Sequence, residues 1–285
     1  MGPLDYAVTI DRALVHRWSI AEVFLTDLRC AGPGDVRAAA QWPRQHPYFD
    51  AGDATYCLLM AAETFRQTTI AALHDTGLAA DGDLFVMRQM GFAWVGEPPV
   101  VRDRPLDLSV SLAMTPGARA GRFDLQVRIS DAGGDLVTGS GVVVVLRPPV
   151  YAALRRGRTA PGHRVDPDAT IACAAVGRTR SQDVVLTGPQ AGPWGLRVDT
   201  THPTLFDHPS DHVPGMLLME AARQATLLRG GGRRVVSIDA DFGAYLELDA
   251  STTVDVEPGA RDGAFVVTVR QGDTVGARLV VSVDS

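Results

Sequence analysis

The sequence HPTLFDHPSDHVPGMLLMEAARQ, His202 to Gln224, carries the strongest structural signal in this chain. It places Asp and His residues and a Pro-Gly pair directly ahead of an apolar segment that contains one carboxylate, Glu220. Proline suits the first turn of a helix, so a helix is predicted to begin near Pro214. A degraded copy, HPYFDAGDATYCLLMAAETFRQ, runs from His46 to Gln67. The chain is therefore predicted to contain an internal duplication of one unit.

Two further pairs of segments support this duplication. VHRWSIAEVFLTDL, from Val15, matches VGRTRSQDVVLTG, from Val176, and so aligns Arg17 with Arg178. ETFRQ, which ends at Gln67, matches EAARQ, which ends at Gln224. Because the register between the copies drifts by only a few residues, the two halves are predicted to share one fold.

Each copy shows the same order of elements: a strand pair, a long apolar helix, and a run of Val- and Leu-rich strands bounded by Gly, Pro and Asp. Helices are predicted at 55–73 and 214–228. Strands are predicted at 23–28, 36–41, 84–95, 106–114, 122–129 and 139–146, and then at 184–187, 195–199, 233–242, 252–256, 264–270 and 275–283.

The two helices are apolar almost all the way round, and such helices must be enclosed by other protein. One buried helix wrapped by an antiparallel sheet is the hot-dog arrangement. We therefore predict an α+β tandem hot-dog, in which two antiparallel sheets each wrap one long helix and form an intramolecular pseudo-dimer. The predicted domains are a partly degenerate repeat at 1–147, a Pro-, Arg- and Gly-rich linker at 148–170, and a second repeat at 171–285.

Composition narrows the classes of function. No apolar run is long enough to span a membrane and no signal peptide is recognisable, so a cytoplasmic protein is expected. The net charge of −6 and the lack of a basic stripe disfavour nucleic-acid binding. All basic side chains other than His are Arg, which excludes Schiff-base chemistry on Lys. The three Cys residues are isolated, and neither a metal nor a cofactor is expected.

Local clusters of arginine at 155–158 and 229–234 are open to two interpretations. They are either solvated surface charge or a docking surface for an acidic protein.

In each helix the polar residues recur at i, i+3 and i+4, which places them on one face. They are Glu63, Arg66 and Gln67 in the first copy, and Glu220, Arg223 and Gln224 in the second. An internal ion pair that fastens helix to sheet is one interpretation, and we favour it for the arginines. The glutamates have Met, Leu and Ala as neighbours, so we expect desolvation to raise their pKa and allow acid or base catalysis.

The loop before the second helix carries the other candidate groups. His208 and His212 are candidate catalytic residues, and Asp207 is positioned to orient a histidine. The start of the helix at Pro214 and Gly215 offers backbone amides that can polarise a carbonyl oxygen. His46 and His202 are each followed by Pro at equivalent places, which indicates a shared structural role.

These motifs resemble the AfsA-type A-factor (γ-butyrolactone) biosynthesis proteins of tandem hot-dog architecture. The resemblance covers nearly the whole chain, including FVMRQMGF and PPVYAALRRGR. It implies an acyltransferase that takes a β-ketoacyl group from acyl carrier protein and esterifies the hydroxyl of dihydroxyacetone phosphate, after which the product closes to a butenolide phosphate. The phosphate-binding candidates are Arg17, Arg66, Arg178 and Arg223, with Gln67 and Gln224 beside them.

The second motif is also similar to that of hot-dog β-hydroxyacyl carrier protein dehydratases, in which the His and Glu of one site come from opposite units. That similarity implies that His208 pairs with Glu63, whereas Glu220 faces a pocket with Ala51 in place of the histidine. One competent site per chain is then expected. Two other functions stay open: a hot-dog dehydratase or thioesterase for acyl thioesters, and a non-catalytic ligand-binding protein.

Overall fold

The computed structural model describes residues 2–50, 54–156, 158, 162–167 and 170–284. The chain forms two compact units, one made of Met1–Gln45 with Met60–Arg158, the other of His46–Leu59 with Thr159–Ser285. The loop that precedes the first long helix therefore belongs to the second unit. Ala51, the expected counterpart of His208, and several linker positions lie outside the described residues.

The first unit contains an antiparallel sheet and the long helix α1, Leu58–Asp75. The strand order is β1-β2-β4-β5-β6-β3. The strands are β1 Leu25–Gly32, β2 Asp35–Trp42, β3 Leu84–Trp94, β4 Leu106–Pro116, β5 Arg122–Asp131 and β6 Gly134–Leu146. A short helix α2, Pro148–Leu154, follows the last of these strands.

Close contact between α1 and its sheet depends on a small residue. A Cβ atom at Gly141 would stand 2.8 Å from the carbonyl oxygen of Gln89 and 3.3 Å from the ring of Phe65 on α1. The Trp42 indole donates a hydrogen bond to Thr64 Oγ1 at 2.8 Å, also on α1. Because Phe65 and Trp42 are both fully buried, the helix is enclosed by the sheet as its apolar sequence predicts.

The second unit repeats this plan around the helix α3, Gly215–Arg229. Its strand order is β9-β12-β11-β10-β8-β7. The strands are β7 Leu186–Thr187, β8 Trp194–Leu196, β9 Val235–Phe242, β10 Thr253–Pro258, β11 Ala264–Gln271 and β12 Thr274–Val283. Every residue of α3 from Leu217 to Leu227 is buried.

The predicted helices and strands are all present, with differences at their ends. Strand β6 begins at Gly134 instead of residue 139, because Asp131 pairs with Gly134 across a tight turn in which Gly134 has φ 133°. The prediction also missed α2 inside the proposed linker, although Pro148 stands in its first turn, where proline is favoured. Within the described residues, no helix is both long and apolar enough to cross a bilayer.

Candidate active site

The polar face of α3 is organised around the carboxylate of Glu220, which is fully buried. Arg178 donates from Nε at 2.8 Å and from Nη2 at 2.6 Å, one bond to each carboxylate oxygen. Arg223 donates in the same way, from Nε and from Nη2, both at 2.8 Å. Gln224 adds a further hydrogen bond from its amide nitrogen. The carboxylate is thus held by two bidentate guanidinium groups, a strong arrangement for a buried charge.

The first unit builds the same cluster around Glu63, which is also fully buried. Arg17 donates from Nε at 3.0 Å, Arg66 donates from Nε and Nη2 at 2.9 Å each, and Gln67 donates at 2.6 Å. We call these two groups the carboxylate clamps: Arg17, Glu63, Arg66 and Gln67, and Arg178, Glu220, Arg223 and Gln224.

The expectation that Glu63 and Glu220 have a raised pKa is wrong. Burial alone would raise the pKa of each carboxyl, but the charges of the two neighbouring arginines and their hydrogen bonds lower it to about 2. Both carboxylates are ionised near neutrality, with their oxygens occupied by arginine and glutamine. The pairing of His208 with Glu63 joins residues of different units and stays a prediction.

The clamps also fasten the helices to the loops in front of the sheets. Gln224 accepts from the amide of Val185 at 3.0 Å and donates to the carbonyl of Asp183 at 2.7 Å. Gln67 does the same with Phe24 and Glu22. Both glutamine side chains thus bond to the backbone as well as to the carboxylate, and substrate contacts of Gln67 and Gln224 stay a prediction.

Three of the four clamp arginines, Arg66, Arg178 and Arg223, differ in which donors remain for a ligand, whereas phosphate binding by Arg17 stays a prediction. Arg178 also donates from Nη1 to the carbonyls of Tyr48 and Asp50. Arg66 and Arg223 instead use Nη2 for one carbonyl each, Val15 and Val176. Their Nη1 atoms have no hydrogen bond within the described residues, so these two arginines keep a donor.

His46 and His202 anchor the loops that follow them. Nδ1 of His202 accepts from the amides of Thr204 and Leu205 at 3.2 and 3.1 Å, so the ring proton lies on Nε2, which is 3.0 Å from Asp183. His46 Nδ1 accepts from Tyr48 and the next amide in the same way. Both rings are buried, which fits a structural role.

Two adjacent Asp-His pairs precede α3. Nδ1 of His208 lies 3.4 Å from Oδ2 of Asp207, and Nδ1 of His212 lies 2.6 Å from Oδ1 of Asp211. In each pair a carboxylate oxygen faces Nδ1 of the adjacent ring, so the aspartate can fix the orientation of the histidine. The sequence reasoning did not assign Asp211 this orienting role, although the repeated Asp-His dipeptide was a visible signal.

Helix α3 begins directly after these pairs. The amides of Leu217 and Leu218 already bond to the carbonyl of Pro214, at 3.0 and 3.2 Å. The amides of Gly215 and Met216 come before them and have no acceptor within their own helix, as at any helix start. These two N–H groups and the helix dipole can stabilise an oxyanion.

Comparison with known proteins identifies the two halves. A family model described as "AfsA: A-factor biosynthesis hotdog domain" matches residues 3–133 and again residues 160–283. Two matches in one chain confirm the duplication and the tandem hot-dog fold.

Curated relatives match along nearly the whole chain. A 2-oxo-3-(phosphooxy)propyl 3-oxoalkanoate synthase from Streptomyces virginiae is 37% identical over 93% of this chain and 94% of the relative. Proteins of the same name from Streptomyces coelicolor and Streptomyces griseus are 34% and 32% identical, each over 92% of this chain and over 87% and 91% of the relatives.

Solved structures share the fold at low sequence identity. An acyl-ACP thioesterase from Bacteroides thetaiotaomicron has a TM-score of 0.57 and 12% identity, covering 87% of this chain and 98% of its own. The dehydratase domain from the CurF module of curacin polyketide synthase has a TM-score of 0.52 and 10% identity, covering 91% and 98%.

The clamps predict how stability depends on pH. Because the pKa of each glutamate falls from 4.5 to about 2 on folding, its contribution is complete above pH 4.5 and is lost as the pH drops towards 2. The contribution is on the order of 3 kcal/mol per glutamate, at about 1.4 kcal/mol per pKa unit. Urea denaturation at a series of pH values should show this loss, with a shallower pH dependence for Glu220→Gln. An equal pH dependence in both proteins would contradict the clamp.

Proposed function

The chain belongs to the AfsA family of A-factor biosynthesis hotdog proteins, and on this basis we propose that it is an acyltransferase of γ-butyrolactone signal biosynthesis. It transfers a β-ketoacyl group from acyl carrier protein to the hydroxyl of dihydroxyacetone phosphate. The observation that carries this proposal is 37% identity over 93% of the chain to a 2-oxo-3-(phosphooxy)propyl 3-oxoalkanoate synthase. The ester in that enzyme name, a 2-oxo-3-(phosphooxy)propyl 3-oxoalkanoate, is the product of the proposed transfer. We place this reaction in the cytoplasm.

The chemistry requires a base, a place for negative charge and a phosphate site. The hydroxyl of dihydroxyacetone phosphate loses its proton to the base while its oxygen attacks the thioester carbon. The tetrahedral intermediate then expels the thiolate, which recovers the proton, and an ester remains. The methylene group between the two carbonyls of that ester can attack the ketone of the glycerone part, and loss of water gives the butenolide phosphate.

We assign the base to His208, oriented by Asp207. Its ring lies in the loop before α3 and its side chain is 42% exposed, so the ring is accessible from solvent. The amides of Gly215 and Met216 at the helix start receive the thioester oxyanion. His212, held by Asp211, stands in the same loop, two residues before Pro214. Glu63 and Glu220 do not act as acid or base in this scheme; their charge holds the arginines.

Phosphate recognition falls to the arginines that keep a donor. Arg66 and Arg223 each have Nη1 without a hydrogen bond within the described residues, whereas Arg178 uses Nη1 for backbone carbonyls. Each clamp holds two guanidinium groups against one carboxylate, so a net positive charge is left for an anion. We favour Arg223, because it shares its unit with His208.

We place the docking site of the carrier protein on the surface around α2. Val150 and Leu154 stand one turn apart on this helix and are 54% and 57% exposed. Three exposed arginines surround them in sequence: Arg147, Arg156 and Arg158. Since acyl carrier proteins are acidic and dock through amphipathic helices, the combination of apolar side chains and positive charge offers both kinds of contact. This surface is the docking site in our proposal.

The reaction itself gives the first test. The protein is incubated with a β-ketoacyl thioester, with and without dihydroxyacetone phosphate, and the products are analysed by mass spectrometry. A phosphate-containing ester should form only when the acceptor is present. Release of free acid at the same rate without the acceptor would instead indicate a thioesterase. Conversion of a β-hydroxyacyl thioester to the enoyl thioester in a parallel incubation would indicate a dehydratase.

Removal of the proposed base should slow turnover without unfolding the protein. His208→Ala is expected to lower kcat by about 10²- to 10⁴-fold, with an unchanged circular dichroism spectrum because the side chain is partly exposed. His163→Ala, at an exposed linker position, serves as control. If His212→Ala abolishes transfer and His208→Ala does not, the base is His212 and our assignment is wrong.

Charge reversal around α2 should affect only carrier-bound substrates. Arg156→Glu combined with Arg158→Glu is expected to raise KM for a β-ketoacyl carrier protein about 10-fold or more, while KM for the N-acetylcysteamine thioester stays the same. The control carries the same charge change at exposed positions elsewhere, Arg104→Glu with Arg261→Glu. Equal effects of the two double variants would remove the docking site from the proposal.

A further inference from the structure

Tyr48 carries a hydroxyl group that has no hydrogen-bond partner among the described residues. The residue has 0% relative exposure, and its hydroxyl has no hydrogen bond to any described residue. Its main chain is satisfied, because its amide donates to His46 Nδ1 at 3.2 Å and its carbonyl accepts from Arg178. A buried hydroxyl without a partner bears the full cost of its desolvation, so such a group calls for an explanation.

The aromatic ring of Tyr48 is fixed on several sides. The guanidinium carbon of Arg178 lies 4.4 Å from the ring centroid, in the geometry of a cation–π contact. The rings of His202 and Phe49 meet it edge-on, with centroids 5.1 and 4.9 Å away. A side chain enclosed in this way cannot swing its hydroxyl into water.

The loop does not need a phenol in order to fold. In the second copy Thr204 takes the place of Tyr48 after the His-Pro pair. The amides of Thr204 and Leu205 bond to His202 Nδ1 at 3.2 and 3.1 Å, and the amides of Tyr48 and Phe49 bond to His46 Nδ1 at 3.2 and 3.3 Å. Because both loops make the same turn, the turn gives no reason for the hydroxyl of Tyr48.

The electrostatic surroundings define what this hydroxyl can bind. Burial and the negative charge of Glu220 raise the pKa of Tyr48 well above its ordinary value, so the group stays protonated and can donate. The positive charges of Arg178 and Arg223 also act on Tyr48 and oppose part of this rise. Arg223 keeps its Nη1 donor within the same unit. This part of the unit therefore presents hydrogen-bond donors and a net positive charge, which suit the oxygen atoms of a ligand.

We propose that the Tyr48 hydroxyl donates a hydrogen bond to the 3-oxo oxygen of the β-ketoacyl group and thereby selects β-keto over unsubstituted acyl thioesters. The proposal rests on the acyltransferase function given above. A neutral phenol in a fully buried position suits a neutral carbonyl, whereas the doubly charged phosphate suits the guanidinium of Arg223. A site built to hydrogen-bond a substrate oxygen discriminates against the analogue that lacks it, because the protein donor is then left unpaired.

The first measurement concerns the unliganded protein and does not depend on its activity. Tyr48→Phe removes only the hydroxyl, so its melting temperature should equal or exceed that of the wild type, since no internal hydrogen bond is lost. Tyr6→Phe, at a half-buried position of the first unit, is the matched control. A clearly lower melting temperature for Tyr48→Phe would show that the hydroxyl is paired within the protein, and the proposal would fail.

The second measurement compares two donors, a 3-oxoacyl and an unsubstituted acyl thioester of the same length. Tyr48→Phe should lower kcat/KM by about 10- to 100-fold for the 3-oxoacyl donor and by less than about 2-fold for the other. Equal losses on both donors, or no loss on either, would overturn the proposal. Inorganic phosphate should raise the melting temperature of Tyr48→Phe as much as that of the wild type, because Tyr48 is proposed to bind the acyl group and not the phosphate. A smaller rise for Tyr48→Phe would also contradict the proposal. Wild-type protein without transferase activity would instead contradict the proposed function.

Discussion

The structure depends on the burial of one ionised carboxylate in the middle of each apolar helix. An unpaired carboxylate in such a place would be strongly destabilising, and it is tolerated here because two guanidinium groups and one amide surround it. For Glu220 the second guanidinium comes from Arg178, in a loop far from α3 in sequence. The ion pair therefore also fixes the position of that loop, and through Gln224 it fixes the backbone that leads into β7. The unit can therefore fold only if these ion pairs form.

This requirement explains which parts of the site the sequence could reveal. The positions of Glu220, Arg223 and Gln224 at i, i+3 and i+4 correctly predict a common helix face, because that is a property of local geometry. The pKa direction was predicted wrongly, since the apolar neighbours are local and the decisive charge of Arg178 is not. The alignment of Arg17 with Arg178 could have revealed these ion pairs. An arginine that occurs at the equivalent place in both copies indicates an acidic partner that also occurs in both.

The sequence predicted the fold better than it predicted which segments belong to each unit. Alternating Val- and Leu-rich segments located the strands, and two nearly all-apolar helices indicated that each must be enclosed. The sequence did not indicate that the loop His46–Leu59 belongs to the second unit. In that loop Tyr48 contacts Arg178 and His202, which are far from it in sequence. The same loop supplies the buried hydroxyl of Tyr48, which the sequence reasoning also missed.

Comparison of the two copies distinguishes residues needed for folding from residues that are candidates for catalysis. Both copies surround a buried glutamate with two arginines and a glutamine, as expected if the clamp is needed to close any unit of this kind. Only the second copy has the Asp-His pairs and Pro214-Gly215 ahead of its helix. A group required for folding must occur in both units, whereas one site can serve the whole chain. The glutamates thus belong with the fold, and the loop before α3, with His208, is where catalysis is to be sought.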